Sequence, residues 1–129
     1  MQNFLLVFVG GGLGAVLRCI ITTQAAARLS GLFPWGTLIV NAVGSLLMGF
    51  IMGVLINRAY SLGESARLLL AVGFLGGFTT FSSFSMETVT LIKGDSLLLA
   101  VLNIGANTLF GLIAAWLGLY LAKIFLSTQ

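Results

Sequence analysis

The sequence predicts an all-α membrane protein of four transmembrane helices, with the third helix broken mid-membrane. Three observations predict it. Of the 129 residues, 59% are hydrophobic and only 7% are charged, against about 25% charged in soluble domains. The apolar residues form four stretches long enough to cross a bilayer core, which takes about 20 residues in helix. The 17 glycines suit helices that pack closely within a bilayer. Residues 1–129 read as a single four-helix transmembrane domain with short connectors, of which NRAYSLGES and KGD are the polar ones.

The first span runs from about Phe4 to Ala27. It has no basic leader and no small-residue cleavage site, so it reads as a span and not as a signal peptide. Gly10, Gly14 and Arg18 fall four apart on it. Arg18 is expected to be structural, reaching an interface or pairing with a carbonyl or carboxylate. After the break SGLFPWG, the second span runs from Trp35 to Ile56. There Thr37, Asn41, Ser45, Gly49 and Gly53 fall four apart and form a ridge of small and polar side chains. One reading is a packing face. The other gives Asn41 a part as hydrogen-bond donor to something that binds or passes, since a purely packing role suits Ala or Ser better.

The third span, about Ala66 to Ile92, contains GFLGGFTTFSSFSMET at 73–88. The Gly76-Gly77 pair weakens the helix, and the Thr79-Thr80 hydroxyls compete for backbone groups. A break is expected at the glycines. Backbone freed at membrane depth is tolerated only where it is buried in protein or lines a polar site. Freed carbonyls can coordinate a hard cation, and a new helix N-terminus attracts an anion. Phe81 and Phe84 lie about one turn apart. Their ring edges carry the positive part of the aromatic quadrupole, so they can face a small anion; standing alone they would read as lipid-facing or core aromatics, but beside the break and its hydroxyls the anion-facing reading is preferred. The fourth span, about Ser96 to Phe125, carries Asn103, Asn107, Gly111 and Ala115 four apart, either a wet seam or interhelical hydrogen bonds.

Composition excludes several function classes. There is no His and there are only three acidic residues, which rules out imidazole chemistry and leaves little room for an enzyme. Cys19 is the single cysteine and reads as a small buried apolar residue. The net charge of +3 is spread without a run, which argues against a nucleic-acid partner.

Topology is nearly balanced. With the N-terminus inside, Arg58, Arg67 and Lys123 lie inside, and Arg28 and Lys93 lie outside. Lys/Arg bias sets orientation, so a bias this small predicts insertion both ways, unless other determinants fix one orientation. Four helices from so short a chain leave no central room for a permeation path, so a pore needs a second copy. Dual insertion makes that copy antiparallel.

GGFTTFSSFSMET closely resembles the signature GG-x-[ST]-TFS-[ST]-FS-x-E of the Fluc/CrcB family of fluoride channels. GTLIVNAVGS resembles its second-helix motif GTL-x-x-N-x-x-G, and GGGLGAVLR its first-helix G-G-x-x-G-x-x-x-R. Length and span count also match. The resemblance implies an antiparallel dual-topology dimer in the cell inner or plasma membrane, surrounded by lipid. It implies two fluoride pathways built from both subunits and export of fluoride from the cell. By the same resemblance Phe81 and Phe84 are the pore phenylalanines and Asn41 the pore asparagine. Thr80, Ser82 and Glu87 are the third-helix polar residues. A central structural sodium ion is held by the backbone carbonyls of Gly76 and Thr79 of each chain. Some members pair non-identical subunits, so a paralogous partner is the alternative to a homodimer.

The family's fourth-helix Ser and Thr appear here, by the spacing to Trp116, as Gly111 and Ala115. Asn107 and Thr108 upstream are expected to substitute in part, and Asn107 joins the expected fluoride path. Fluoride is strongly hydrated, so a path needs many donors without a fixed charge that would trap the ion. Two other classes compete. A small multidrug-type four-helix transporter requires a central carboxylate, for which Glu87 is the candidate, beyond the break toward a membrane end. A non-transporting scaffold does not need a hydroxyl–aromatic run after a helix break.

Overall fold

The computed structural model of the protein describes residues 1–56 and 63–128; Arg58 lies outside them. The described residues are helical, with no strand. α1 is Gln2–Arg28 and α2 is Trp35–Ile56. α3 covers 64–78, made of Glu64–Ala66, a π-helical stretch Arg67–Leu75 and a last turn Gly76–Phe78. α4 is Phe81–Lys93 and α5 is Leu97–Ser127. With α3 and α4 taken together, four helical stretches of 27, 22, 30 and 31 residues are long and apolar enough to cross a membrane. The chain is a multi-pass membrane protein. At 1.5 Å per residue the last helix is about 46 Å long, more than a bilayer core of about 30 Å, so it tilts or extends beyond it.

Turn chemistry sets the boundaries. α1 ends with Leu29 N–H on the Ala25 carbonyl at 2.8 Å, and Gly31 follows at φ 126, a left-handed conformation that favours glycine. The Pro34 carbonyl accepts from Leu38 N–H at 3.3 Å and starts α2. The KGD connector closes with Gly94 N–H on the Thr90 carbonyl at 3.0 Å and Ser96 N–H on the Leu91 carbonyl at 2.9 Å. The expected span limits hold to within about two residues.

Packing runs in two seams, α2 on α5 and α1 on α3. Each seam depends on a glycine. A Cβ on Gly118 would lie 2.7 Å from the Phe50 amide nitrogen, and one on Gly14 would lie 2.8 Å from that of Phe78. Either would force the helices apart, which is the small-residue packing expected between membrane helices. A compact core of Val40, Leu75 and Phe78 joins the seams, with Ile21, Met48, Ile51 and Phe74 against it. Most other large apolar side chains face outward, as they do in lipid.

The break lies three residues beyond the expected place. Gly76–Phe78 is still helical. The chain leaves the helix at Thr79 (φ −82, ψ 161) and Thr80 (φ −153, ψ 115). Glycine only weakens a helix. The departure occurs where other groups take over the backbone hydrogen bonds, and those groups belong to Asn41 and Thr80.

Candidate functional site: a polar groove at the helix break

Asn41 clasps the break. Its Oδ1 accepts from Thr80 N–H at 2.8 Å, and its Nδ2 donates to the Thr80 carbonyl at 3.2 Å. Thr80 then caps α4: its Oγ1 accepts from Ser83 N–H at 3.1 Å and donates to Ser83 Oγ at 3.0 Å, an ordinary N-cap arrangement. Ser82 Oγ lies 3.3 Å from Thr80 Oγ1. These bonds have a consequence for the carbonyls. Thr80 N–H would otherwise close a helical turn onto the Gly76 carbonyl, and Ser83 N–H would close one onto that of Thr79. Both donors are taken elsewhere, so Gly76 and Thr79 lose their i+4 partners. Gly76 is also exposed, with nothing near its Cα where a Cβ would stand. Among the described residues no group of three His, Cys, Asp or Glu is placed to hold a metal. A cation here would therefore use backbone oxygens, and the Gly76 and Thr79 carbonyls fit that chemistry.

A groove of ≈ 410 Å³ lies beside the clasp, lined by Asn41, Thr80, Phe81, Phe84 and Asn107 among others. The Phe81 and Phe84 rings are 5.5 Å apart, tilted at 53°. Phe81 is 79% exposed in the single chain. Five of the residues singled out in the sequence thus meet at one surface. Thr79 lines it too, as do Ser45 and Thr108. Ser82 does not line the groove, although it touches Thr80. Gly111 approaches Ser45, and Ala115 lines the groove as an apolar wall, so the amide and hydroxyl of Asn107 and Thr108 are the polar groups that α5 contributes.

Glu87 stands apart. Thr37 Oγ1 donates to its Oε1 at 2.6 Å. Its Oε2 is buried without a partner among the described residues. Thr37 is the third residue of α2, one turn from Asn41, so the carboxylate lies toward one end of the span. It borders two smaller cavities of ≈ 240 and ≈ 380 Å³. Arg18 is partly buried in α1, with its Nε unpartnered among the described residues. Its carbonyl accepts from Thr22 Oγ1 at 2.9 Å.

The α2 ridge divides between its two readings. Thr37, Asn41 and Ser45 face polar partners or the groove. Gly49 and Gly53 are a packing face, against Ala115 and Ala122. Asn41 is not a free donor: both its Nδ2 hydrogens are engaged, one by the Thr80 carbonyl and one by Asn107 Oδ1 at 3.0 Å. Sequence reasoning also passed over Thr88, which is buried and accepts from Asn103 Nδ2 at 2.9 Å. The available signal was its four-residue spacing from Phe84.

Comparison with known proteins gives a consistent result. The family described as CrcB-like protein, Camphor Resistance (CrcB), matches residues 5–119. A protein of Hydrogenovibrio crunogenus named fluoride-specific ion channel FluC is 44% identical, over 98% of this chain and 99% of that protein. Proteins of the same name from Hyphomonas neptunium and Thermus thermophilus are 45% and 47% identical. The first match covers 95% of this chain and 97% of its relative, the second 92% and 93%. That name describes an ion channel and not an enzyme. With a matched region that takes in the α1 glycines, the Asn41 clasp and the whole helix break, the chain belongs to the CrcB family.

Proposed function

We propose that this protein is a fluoride-selective channel that lets fluoride leave the cell passively. The observation that carries the reading is the groove. Amide, hydroxyl and aromatic side chains converge at Asn41, Thr80, Phe81, Phe84 and Asn107 without a fixed charge, in a family whose relatives bear the name of a fluoride-specific channel. Binding there can replace water around a small anion and still release it.

The groove is open along one side in a single chain, so a complete path takes a second copy. That copy is antiparallel, and an identical chain is the simplest one. The exposed Gly76 at the break then faces its counterpart. The carbonyls of Gly76 and Thr79 from both chains would hold sodium, which supplies positive potential midway and ties the subunits together. The multidrug-type alternative needs a carboxylate at the centre of the membrane, whereas Glu87 lies on Thr37 near the start of α2. The deciding measurement is efflux from proteoliposomes loaded with fluoride, chloride or a lipophilic drug cation. Fluoride alone should leave, without a proton gradient. Proton-coupled movement of the drug cation, or chloride leaving as fast as fluoride, would overturn the reading.

A further inference from the structure

The amides beside the groove form a directed hydrogen-bond chain that the proposed path does not by itself require. Asn41 Nδ2 donates to Asn107 Oδ1 at 3.0 Å. Asn107 Nδ2 donates to both oxygens of Asn103, the side-chain Oδ1 at 2.9 Å and the carbonyl at 3.1 Å. Asn103 Nδ2 donates to Thr88 Oγ1 at 2.9 Å, and Thr88 Oγ1 donates to the Phe84 carbonyl at 2.8 Å. Every donor points the same way, from α2 through α5 to α4. Asn103 is 0% exposed and does not reach the groove, whereas Asn41 and Asn107 both line it.

This direction determines what an arriving anion meets. Asn41 has two amide hydrogens and both are engaged; the same is true of Asn107. An anion gains a hydrogen from Asn41 only by displacing a present acceptor. The Thr80 carbonyl is held at the break, so the exchangeable acceptor is Asn107 Oδ1. Hydrogen bonds to a charged acceptor are about twice as strong as neutral ones, so a small charge-dense anion wins that exchange. When it moves on, Asn107 Oδ1 recaps the donor, which makes departure easier. The cap works only while the Asn107 amide keeps its orientation, with oxygen toward Asn41. The two oxygens of Asn103, which accept both Asn107 hydrogens, fix that orientation.

We infer that Asn103 is a positioning residue for the ion path: it holds the Asn107 amide so that Asn107 Oδ1 caps the Asn41 donor between ions and drives the anion off. The inference rests on the fluoride reading above. Without the Asn103 side chain the Asn107 amide keeps only the Asn103 carbonyl as acceptor, so it is held less firmly and caps Asn41 more weakly. The anion at Asn41 then meets a weaker competitor, binds more tightly and leaves more slowly.

The test is single-channel recording of fluoride currents in planar bilayers over a series of fluoride concentrations, for the parent, Asn103→Leu, Asn107→Leu and the double variant. Unitary current does not depend on how many molecules are folded. Asn103→Leu should lower the saturating unitary current about tenfold, the factor set by one hydrogen bond of ordinary net strength, and should also lower the half-saturating fluoride concentration. In the Asn107→Leu background the same substitution should change the current less than about twofold, because sites that act through one another are not additive. If Asn103→Leu does not assemble, Asn103→Ser, which keeps one short polar group, carries the same expectations. A parental unitary current, an unchanged or raised half-saturating concentration, or equal effects in both backgrounds would each overturn the inference. A parent that passes no fluoride would remove the fluoride reading itself, and the inference with it.

Discussion

Asn41→Ala tests whether one side chain holds the helix break. The substitution removes three hydrogen bonds: Thr80 N–H to Oδ1 at 2.8 Å, Nδ2 to the Thr80 carbonyl at 3.2 Å and Nδ2 to Asn107 Oδ1 at 3.0 Å. Interhelical hydrogen bonds in membranes average about 0.6 kcal/mol and reach about 1.7, so three of them contribute about 2 to 5 kcal/mol. A second route gives a similar figure. Thr80 is 7% exposed, and its N–H and carbonyl are left unpaired, at about 1–3 kcal/mol each. The variant should therefore lose about 2–5 kcal/mol of stability, the low end applying if groove water reaches Thr80. Reversible unfolding in mixed detergent micelles, followed by helical circular dichroism, measures the change. Val43→Ala, on the outward face of α2, is the control and should shift stability by less than about 0.5 kcal/mol. Fluoride efflux should fall with Asn41→Ala, because the clasp fixes where α4 starts and hence where Phe81 and Phe84 point. If Asn41→Ala matches the control in stability, the clasp does not hold the break.

The other predictions concern the pore, the cation and the orientation. Phe81→Ile and Phe84→Ile should each reduce fluoride efflux at least about tenfold, a loss of roughly 1.4 kcal/mol at the barrier, while the protein elutes in size-exclusion chromatography as the parent does; parental flux in both would remove the rings from the path. The proposed sodium site, built of backbone carbonyls, should survive Thr79→Ser, since Ser preserves the hydroxyl that bonds the Leu75 carbonyl at 2.9 Å. A high-resolution map of that variant should show a central site with oxygens near about 2.4 Å, and a shell at hydrogen-bond distances near about 2.8 Å would mean water instead. Two or three added lysines in the KGD connector should lock one orientation and abolish flux when the variant is expressed alone, and co-expression with an oppositely locked variant should restore it.

Much of this architecture was legible in the sequence because hydropathy and glycine spacing act over whole helices. The span limits follow from about 20 apolar residues in a row, and the small-residue faces from glycines four apart, but which helices pair through them was not legible. The break was legible in kind but not in position. Gly76-Gly77 is the weakest helical dipeptide, yet the chain stays helical there and leaves at Thr79-Thr80. What decides is a tertiary bond from Asn41, 39 positions away, together with a local cap. The π-helical winding of Arg67–Leu75 had no sequence signal at all. In the site, Asn41, Thr80, Phe81, Phe84 and Asn107 line one groove; spacing placed each on its helix, and only the family resemblance put them on one path. The direction of the amide chain could not be read, because an asparagine in sequence offers donors and acceptors alike and only its neighbours determine which is used.

The outward face of the break adds a last argument for the second copy. A large apolar side chain facing lipid is at ease there, and most of those exposed in this chain are of that kind. Ser82 and Gly76 are exposed too, beside a groove that bares the Thr80 and Asn107 polar groups, and two carbonyls there have lost their helical partners. Polar groups and irregular backbone at membrane depth are stable only against protein or water. Among the described residues the helices are engaged with one another, α1 in the α3 seam and α2 in the α5 seam. A lone chain in lipid would leave those groups unsatisfied, so the same residues that make the groove suitable for an anion also make the single chain incomplete. The antiparallel copy proposed above would answer both needs with one surface, because its own break would bring carbonyls and hydroxyls to the opposite side of the same plane. Ion path and assembly are then one property of the 73–88 stretch. A substitution that merely fills the groove, such as Ser45→Leu, should therefore weaken flux and leave dimerisation intact. One that makes the outward face apolar, such as Ser82→Leu, should alter the dimer equilibrium in lipid bilayers. If Ser82→Leu leaves that equilibrium at its parental value, the two functions are separable and the argument fails.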